Sequence, residues 1–198
     1  MRPVFLVLGY GIPKDILKDE NYSRYIGVVL NTIFDMVSSK KVTEPFIIFN
    51  GGPSDCHPPY RKTEAEEMAK LFKTLASNKT LAPHIRDWKF VLQKKALSTV
   101  ENLLFSQNIM REKKLQKSAI YIFCEKTRAK RIKILAKQIF NPDSVGIQSL
   151  NCIPIDFDQS ENRYLDPSFI AKKEQAELKR ELSVINNPKL LESYQKAL

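Results

Sequence analysis

Apolar residues in this chain keep two rhythms. Short, nearly continuous runs rich in β-branched and aromatic residues occupy positions 4–8, 45–49, 88–92, 119–124 and 145–155. Runs of that length and kind suit strands covered on both faces. Between them, apolar residues return every three or four positions over 22–39, 63–77, 99–113 and 127–140. In the last stretch Ile132, Leu135, Ala136 and Ile139 make one stripe, the mark of a helix with one face on a core. Strand and helix alternating over five strands predict an α/β, Rossmann-like doubly wound fold, with a mainly parallel five-stranded sheet. Two more helical stretches follow, 174–182 and 189–197, separated by Asn186-Asn187-Pro188. The expected organisation is one α/β domain over residues 1–155 and a helical C-terminal extension over 156–198 packed on it.

Composition narrows the class. A chain of 198 residues, 43% apolar and 27% charged, is a soluble globular domain with enough length for a proper core. No apolar run approaches the roughly 18 residues that a membrane span needs. The run at 4–8 is too short for a signal-peptide core and passes straight into Gly9-Tyr10-Gly11. It reads as a first buried strand, and a cytoplasmic location is expected. Cys56, Cys124 and Cys152 have the spacing of neither a disulfide framework nor a zinc site, so no metal is expected. Cys124 closes an apolar run and reads as a small core residue.

The net charge of +10 is uneven. Ten basic residues against Glu112 and Glu125 lie between Arg111 and Lys137, whereas the remainder nearly balances. Such a block favours anionic partners, or else forms two solvated helix faces beside one strand.

Four places carry candidate chemistry. Gly9-Tyr10-Gly11 ends the first strand where a dinucleotide fingerprint would begin, but Lys14 stands at the third glycine's position and Pro13 interrupts. It remains a tight turn that lets a ligand near the backbone. Asn50-Gly51-Gly52 closes the second strand, and Thr63 with Glu66 three residues later forms a capping-box pattern. Glu64, in that helix's first turn, suits the positive end of the helix dipole. Ser98-Thr99-Val100-Glu101-Asn102 follows the third strand; Ser98 or Thr99 can cap the helix, and a buried Glu101 needs a partner, with Arg24 and Arg131 as candidates. Arg128 and Arg131 stand one helical turn apart after the fourth strand, within reach of one phosphate or carboxylate. His57 and His84 both sit in proline-containing stretches, where solvated surface is the commoner fate.

In order and spacing these motifs resemble the DUF218 family, the YdcF/SanA/ElyC-like proteins. The resemblance covers about residues 4–140, from the strand entering Gly9-Tyr10-Gly11, through Arg24, Asn50-Gly51-Gly52, residues 63–68 and 98–102, to Arg131-Ile132. It implies a Rossmann-like domain with a ligand cleft over the strand ends, and cleft positions at Gly51, Gly52, Glu64, Thr99, Glu101, Asn102 and Arg131. The chain departs from the family at Asn50, where a serine is frequent, and at Thr127 or Arg128, where a histidine is frequent. Without that imidazole, an obvious general base near neutral pH is gone.

The expected function is binding of a small anionic ligand, nucleotide- or phosphate-containing or S-adenosylmethionine-like, at the strand ends. Gly9, Gly11, Asn50, Gly51, Gly52, Thr99, Asn102, Arg128 and Arg131 are the expected ligand-binding residues. Glu64 and Glu101 are the candidate acid/base pair. The alternatives are a non-catalytic sensing module on the same fold, or nucleic acid held by residues 111–137. In that block Tyr121 and Phe123 fall within the strand and offer no stacking platform.

Overall fold

The computed structural model describes residues 2–40, 44–53, 62–79, 81–141, 146–156, 167–187 and 190. Five strands, β1 (Val4–Leu8), β2 (Phe46–Asn50), β3 (Lys89–Gln93), β4 (Ala119–Glu125) and β5 (Ser149–Ile155), form one sheet in the order β3-β2-β1-β4-β5. Every pairing is parallel, with Val4 opposite both Phe46 and Ile120. The helices are α1 (Glu20–Lys40), α2 (Glu64–Ala76), a short α3 (Ala82–Ile85), α4 (Thr99–Glu112), α5 (Ala129–Ile139) and α6 (Pro167–Asn186). The doubly wound α/β expectation therefore holds.

The two-residue period of the strands divides the core in two. Phe5, Val7, Ile47, Phe49, Tyr121 and Phe123 face α1 and α2. Val4, Leu6, Leu8, Ile48, Ile120 and Ile122 face α4 and α5, and Leu178, Leu182, Val184 and Ile185 bring α6 onto that same layer. Strands β1 and β2 are buried along their whole length, but β3 and β5 are largely half-buried or exposed. The expectation that every strand is covered on both faces fails for these two because they are the sheet edges. Cys124 is a core residue, and its thiol lies 3.6 Å from that of Cys152 on the neighbouring strand.

Helix α5 starts later than the pattern suggests. Residues Lys126–Arg128 first make a 3-10 turn, which the Glu125 carboxylate holds through the Thr127 N–H. Helix α6 starts earlier than expected, at Pro167, a residue suited to a helix's first turn. The expected helix at 189–197 lies outside the described residues, Leu190 excepted. No described helix is long and apolar enough to cross a membrane.

The chain winds outward from β1 through β2 to β3, then crosses to β4. That reversal opens a crevice between the carboxyl ends of β1 and β4, where α/β sheets hold ligands.

Candidate functional site

One wall of the crevice is built from backbone. After β2 the chain turns at Gly51, whose φ of +146° disfavours a side chain. Gly51 N–H donates to the Gln93 carbonyl (3.0 Å) and Gly52 N–H to the Ala96 carbonyl (2.7 Å), tying this turn to the segment entering α4. The chain returns at Thr63, which caps α2: its hydroxyl accepts the Glu66 N–H (3.2 Å) and donates to the Glu66 carboxylate (2.8 Å). Glu64 and Ala65 then donate their N–H groups to the carbonyls of Gly52 and Gly51. This fixes Glu64 over the ends of β1 and β2.

Its side chain fills the space the glycines leave open. A Cβ on Gly9 would lie 2.6 Å from the Glu64 carboxyl carbon, and one on Gly51 would lie 2.5 Å from the Glu64 Cβ. A Cβ on Gly52 would lie 2.4 Å from the Ala96 carbonyl oxygen. Gly51 and Gly52, expected to bind a ligand, instead make room for Glu64 and the segment before α4. Glu64 Oε1 in turn accepts the Gly11 N–H at 2.5 Å, so one carboxylate organises the turn after β1. Tyr22 and Tyr25 of α1 pin that turn from below, donating to the carbonyls of Gly11 (2.5 Å) and Leu8 (2.8 Å). Burial pushes the Tyr25 phenol well above its ordinary pKa, keeping it a donor.

The opposite wall is built from side chains. Ser98 caps α4 in the same reciprocal way as Thr63, accepting the Glu101 N–H and donating to its carboxylate (3.1 Å). That carboxylate also accepts the Leu97 N–H (2.8 Å), and Glu101 is fully buried. Its role is to cap α4 rather than to face the crevice; Arg24 stands exposed on α1, and Arg131 pairs elsewhere. Thr99, in the first turn, accepts hydrogen bonds from Arg128 Nη2 (2.9 Å) and Arg131 Nη1 (3.2 Å). Arg128 also donates to the Gly9 carbonyl (2.8 Å) and lies 5.4 Å from the centre of the Tyr10 ring. No carboxylate of the described residues forms an ion pair with it.

Arg131, only 7% exposed, reaches α6 instead. Its Nε and Nη2 donate to the two oxygens of Glu174 (2.6 and 3.3 Å), and its Nη1 donates to Glu181 (2.5 Å). Burial pulls the guanidinium's pKa down, but Glu181 and Glu174 outweigh it and the net direction is up. Burial pushes the Glu181 carboxyl up, with Arg131 opposing.

These walls enclose a cavity of about 620 Å³. Of the expected residues, Gly9, Gly11, Glu64, Thr99, Asn102, Arg128 and Arg131 line it; Gly51, Gly52, Asn50 and Glu101 do not. Asn50 is corrected from ligand-binding to structural: it is fully buried, donates to the Ile48 carbonyl (3.0 Å) and accepts from Ser106 (2.7 Å). Asn102 is 95% buried, and its side-chain oxygen has no hydrogen-bond partner among the described residues. Sequence reasoning missed Tyr10, Lys14 and the wall that α6 supplies. The available signal was the stripe Ile170, Lys173, Glu174, Glu177 and Glu181, which runs along one helix face.

The basic block from 111 to 137 divides. Arg128 and Arg131 turn inward, while Arg111, Lys113, Lys114, Lys117, Lys126, Lys130, Lys133 and Lys137 are exposed. His84 is exposed on α3, its ring edge-on to Phe34 at 5.6 Å. Cys56 and His57 lie outside the described residues, and no metal-ligand cluster occurs among the described ones.

No protein-family model matches the chain, and neither a curated protein nor a solved structure matches it.

Proposed function

We propose that this chain binds a small anionic ligand, nucleotide- or phosphate-containing, in the crevice between the ends of β1 and β4. The observation that carries the reading is Arg128. Two neutral oxygens, the Gly9 carbonyl and the Thr99 hydroxyl, hold its guanidinium at the cavity wall; no carboxylate of the described residues pairs with it at contact distance, and Glu181 acts on it only through space. A positioned cation without a contact ion pair, beside the first turn of α4, is a ready oxyanion site, since helix N-termini favour negative charge. The unpartnered oxygen of Asn102 supports a ligand that also carries a donor, such as a sugar hydroxyl. The DUF218 resemblance and a cytoplasmic setting belong to the same proposal.

Glu64 gives this reading a catalytic version. Its carboxylate lines the cavity, so a bound ligand would meet an acid/base group opposite Arg128. Glu101 drops out as its partner because its carboxylate serves the α4 cap.

The test is calorimetric titration of wild type and Arg128→Ala with inorganic phosphate, adenine nucleotides and S-adenosylmethionine at fixed salt. An anion bound by wild type should lose about tenfold or more in affinity in the variant, the scale of a charge-assisted hydrogen bond. Equal affinity in both proteins overturns the site. For any ligand that turns over, Glu64→Gln should abolish turnover and leave binding measurable.

A further inference from the structure

Two guanidinium groups meet at one oxygen. Thr99 Oγ1 accepts from Arg128 at 2.9 Å and from Arg131 at 3.2 Å, so those two donor nitrogens lie no more than about 6 Å apart. Like charges held that close call for anions between or beside them. The chain supplies these from α6, and unequally.

Glu181 holds one end of the Arg131 guanidinium and is 1% exposed, so it cannot leave without stranding a buried charge. Glu174 holds the Nε–Nη2 edge with both oxygens, the two-point grip that a phosphate or carboxylate ligand makes on arginine. Its side chain is 16% exposed and lines the cavity. Glu174 therefore occupies a ligand-type position on Arg131, at the border of the space where Arg128 waits.

Building on the crevice reading, we propose that Arg131 is a second oxyanion subsite, occupied by Glu174 until a ligand displaces it. The ligand class this selects carries two linked oxyanion groups, as a nucleoside diphosphate does. One group takes Arg128 and the first turn of α4, and the other replaces Glu174 on the Arg131 fork while Glu181 stays. A single phosphate needs only Arg128 and leaves the α6 contact intact. Helix α6 then responds to the length of the ligand's anionic part, because Glu174 is released only when the second group arrives.

The experiment compares inorganic phosphate with pyrophosphate by calorimetry in wild type, Glu174→Gln, Glu174→Ala and Glu174→Gln combined with Arg131→Lys. Pyrophosphate affinity should rise about tenfold in both Glu174 variants, while phosphate affinity moves by less than about threefold. The added Arg131→Lys should erase the gain, since an ammonium cannot make the two-point grip. If phosphate binding depends on Arg128 but both Glu174 variants treat the two probes alike, the second subsite is overturned and the crevice reading stands. If neither probe binds any of the four proteins, the crevice reading falls and this inference with it.

Discussion

The two walls of the crevice solve the same problem by opposite means. At the ends of β1 and β2 the geometry comes from room: Gly9 and Gly51 omit side chains so that one carboxylate, Glu64, can lie across the strand ends and hold the Gly11 N–H. At the ends of β4 and α4 it comes from charge: Arg128 and Arg131 share Thr99, and α6 sends in Glu174 and Glu181. A wall made of excluded volume has one arrangement. A wall made of ion pairs can exchange one anion for another, and the proposed second subsite rests on that difference.

The sharpest break of this comparison is on the charged wall. Arg131→Ala strands Glu181, which is 1% exposed, and should cost about 3–5 kcal/mol of stability by urea unfolding. A loss under about 1 kcal/mol would mean that α6 is held by its apolar face alone.

On the glycine wall, Gly51→Ala combines a disfavoured backbone conformation with clashes on both the Glu64 carboxylate and its Cβ, and about 2–3 kcal/mol should be lost. Gly9→Ala meets chiefly the Glu64 carboxyl end and should cost about 1–3 kcal/mol. Adding Glu64→Ala should recover most of the Gly9→Ala loss and a smaller share of the Gly51→Ala loss, because the strained φ and the contact with the Cβ at 64 remain. A double-mutant cycle reads this difference directly, and equal recovery in both would show that carboxyl crowding alone sets the glycine requirement.

The two caps should respond alike, because each makes the same reciprocal pair. Thr63→Ala and Ser98→Ala are each expected to cost about 1 kcal/mol. A much larger Ser98 effect would show that the Glu101 carboxylate needs the hydroxyl as well as the Leu97 N–H.

The smallest effect is one of pH. The Lys94 hydrogen bond, then Thr63, hold the Glu66 carboxyl below its ordinary value of 4.5. A depressed folded-state pKa contributes stability above the unfolded value, and loses it as pH falls through the folded one. The stability difference between wild type and Glu66→Gln should therefore shrink on acidification below about pH 4.5, and shrink further in salt because both partners are substantially exposed. A difference that stays flat across that range would remove the Lys94 contact from solution.

Much of this molecule is legible in its sequence. Strands β1, β2 and β4 are central, so burial on both faces wrote itself into unbroken apolar runs. The edge strand β5 carries polar positions such as Ser149 and Asn151, and its start could not be read from the run at 145–155. Both capping boxes were visible as hydroxyl-x-x-Glu. The second is not among the sequence expectations, which make Glu101 an acid/base candidate, although a capping-box carboxylate has local donors to satisfy. Seven expected residues do line one cavity, since the ends of parallel strands must gather on one side of the sheet. The glycines were read correctly as places of close approach, but what approaches is the chain itself.

The sequence by itself determined the alternation of strand and helix, the capped starts of α2 and α4, and the gathering of charged residues at strand ends. Those features follow from local periodicity and from hydrogen bonds spanning three or four residues. Only the tertiary structure decided which cation is paired. Arg128 and Arg131 are one helical turn apart and look equivalent in the chain, yet α6, some forty to fifty residues downstream, neutralises one and leaves the other with neutral oxygens. Pairing across that separation depends on how α6 seats its apolar face on the α4–α5 layer, and no local pattern around either arginine records it.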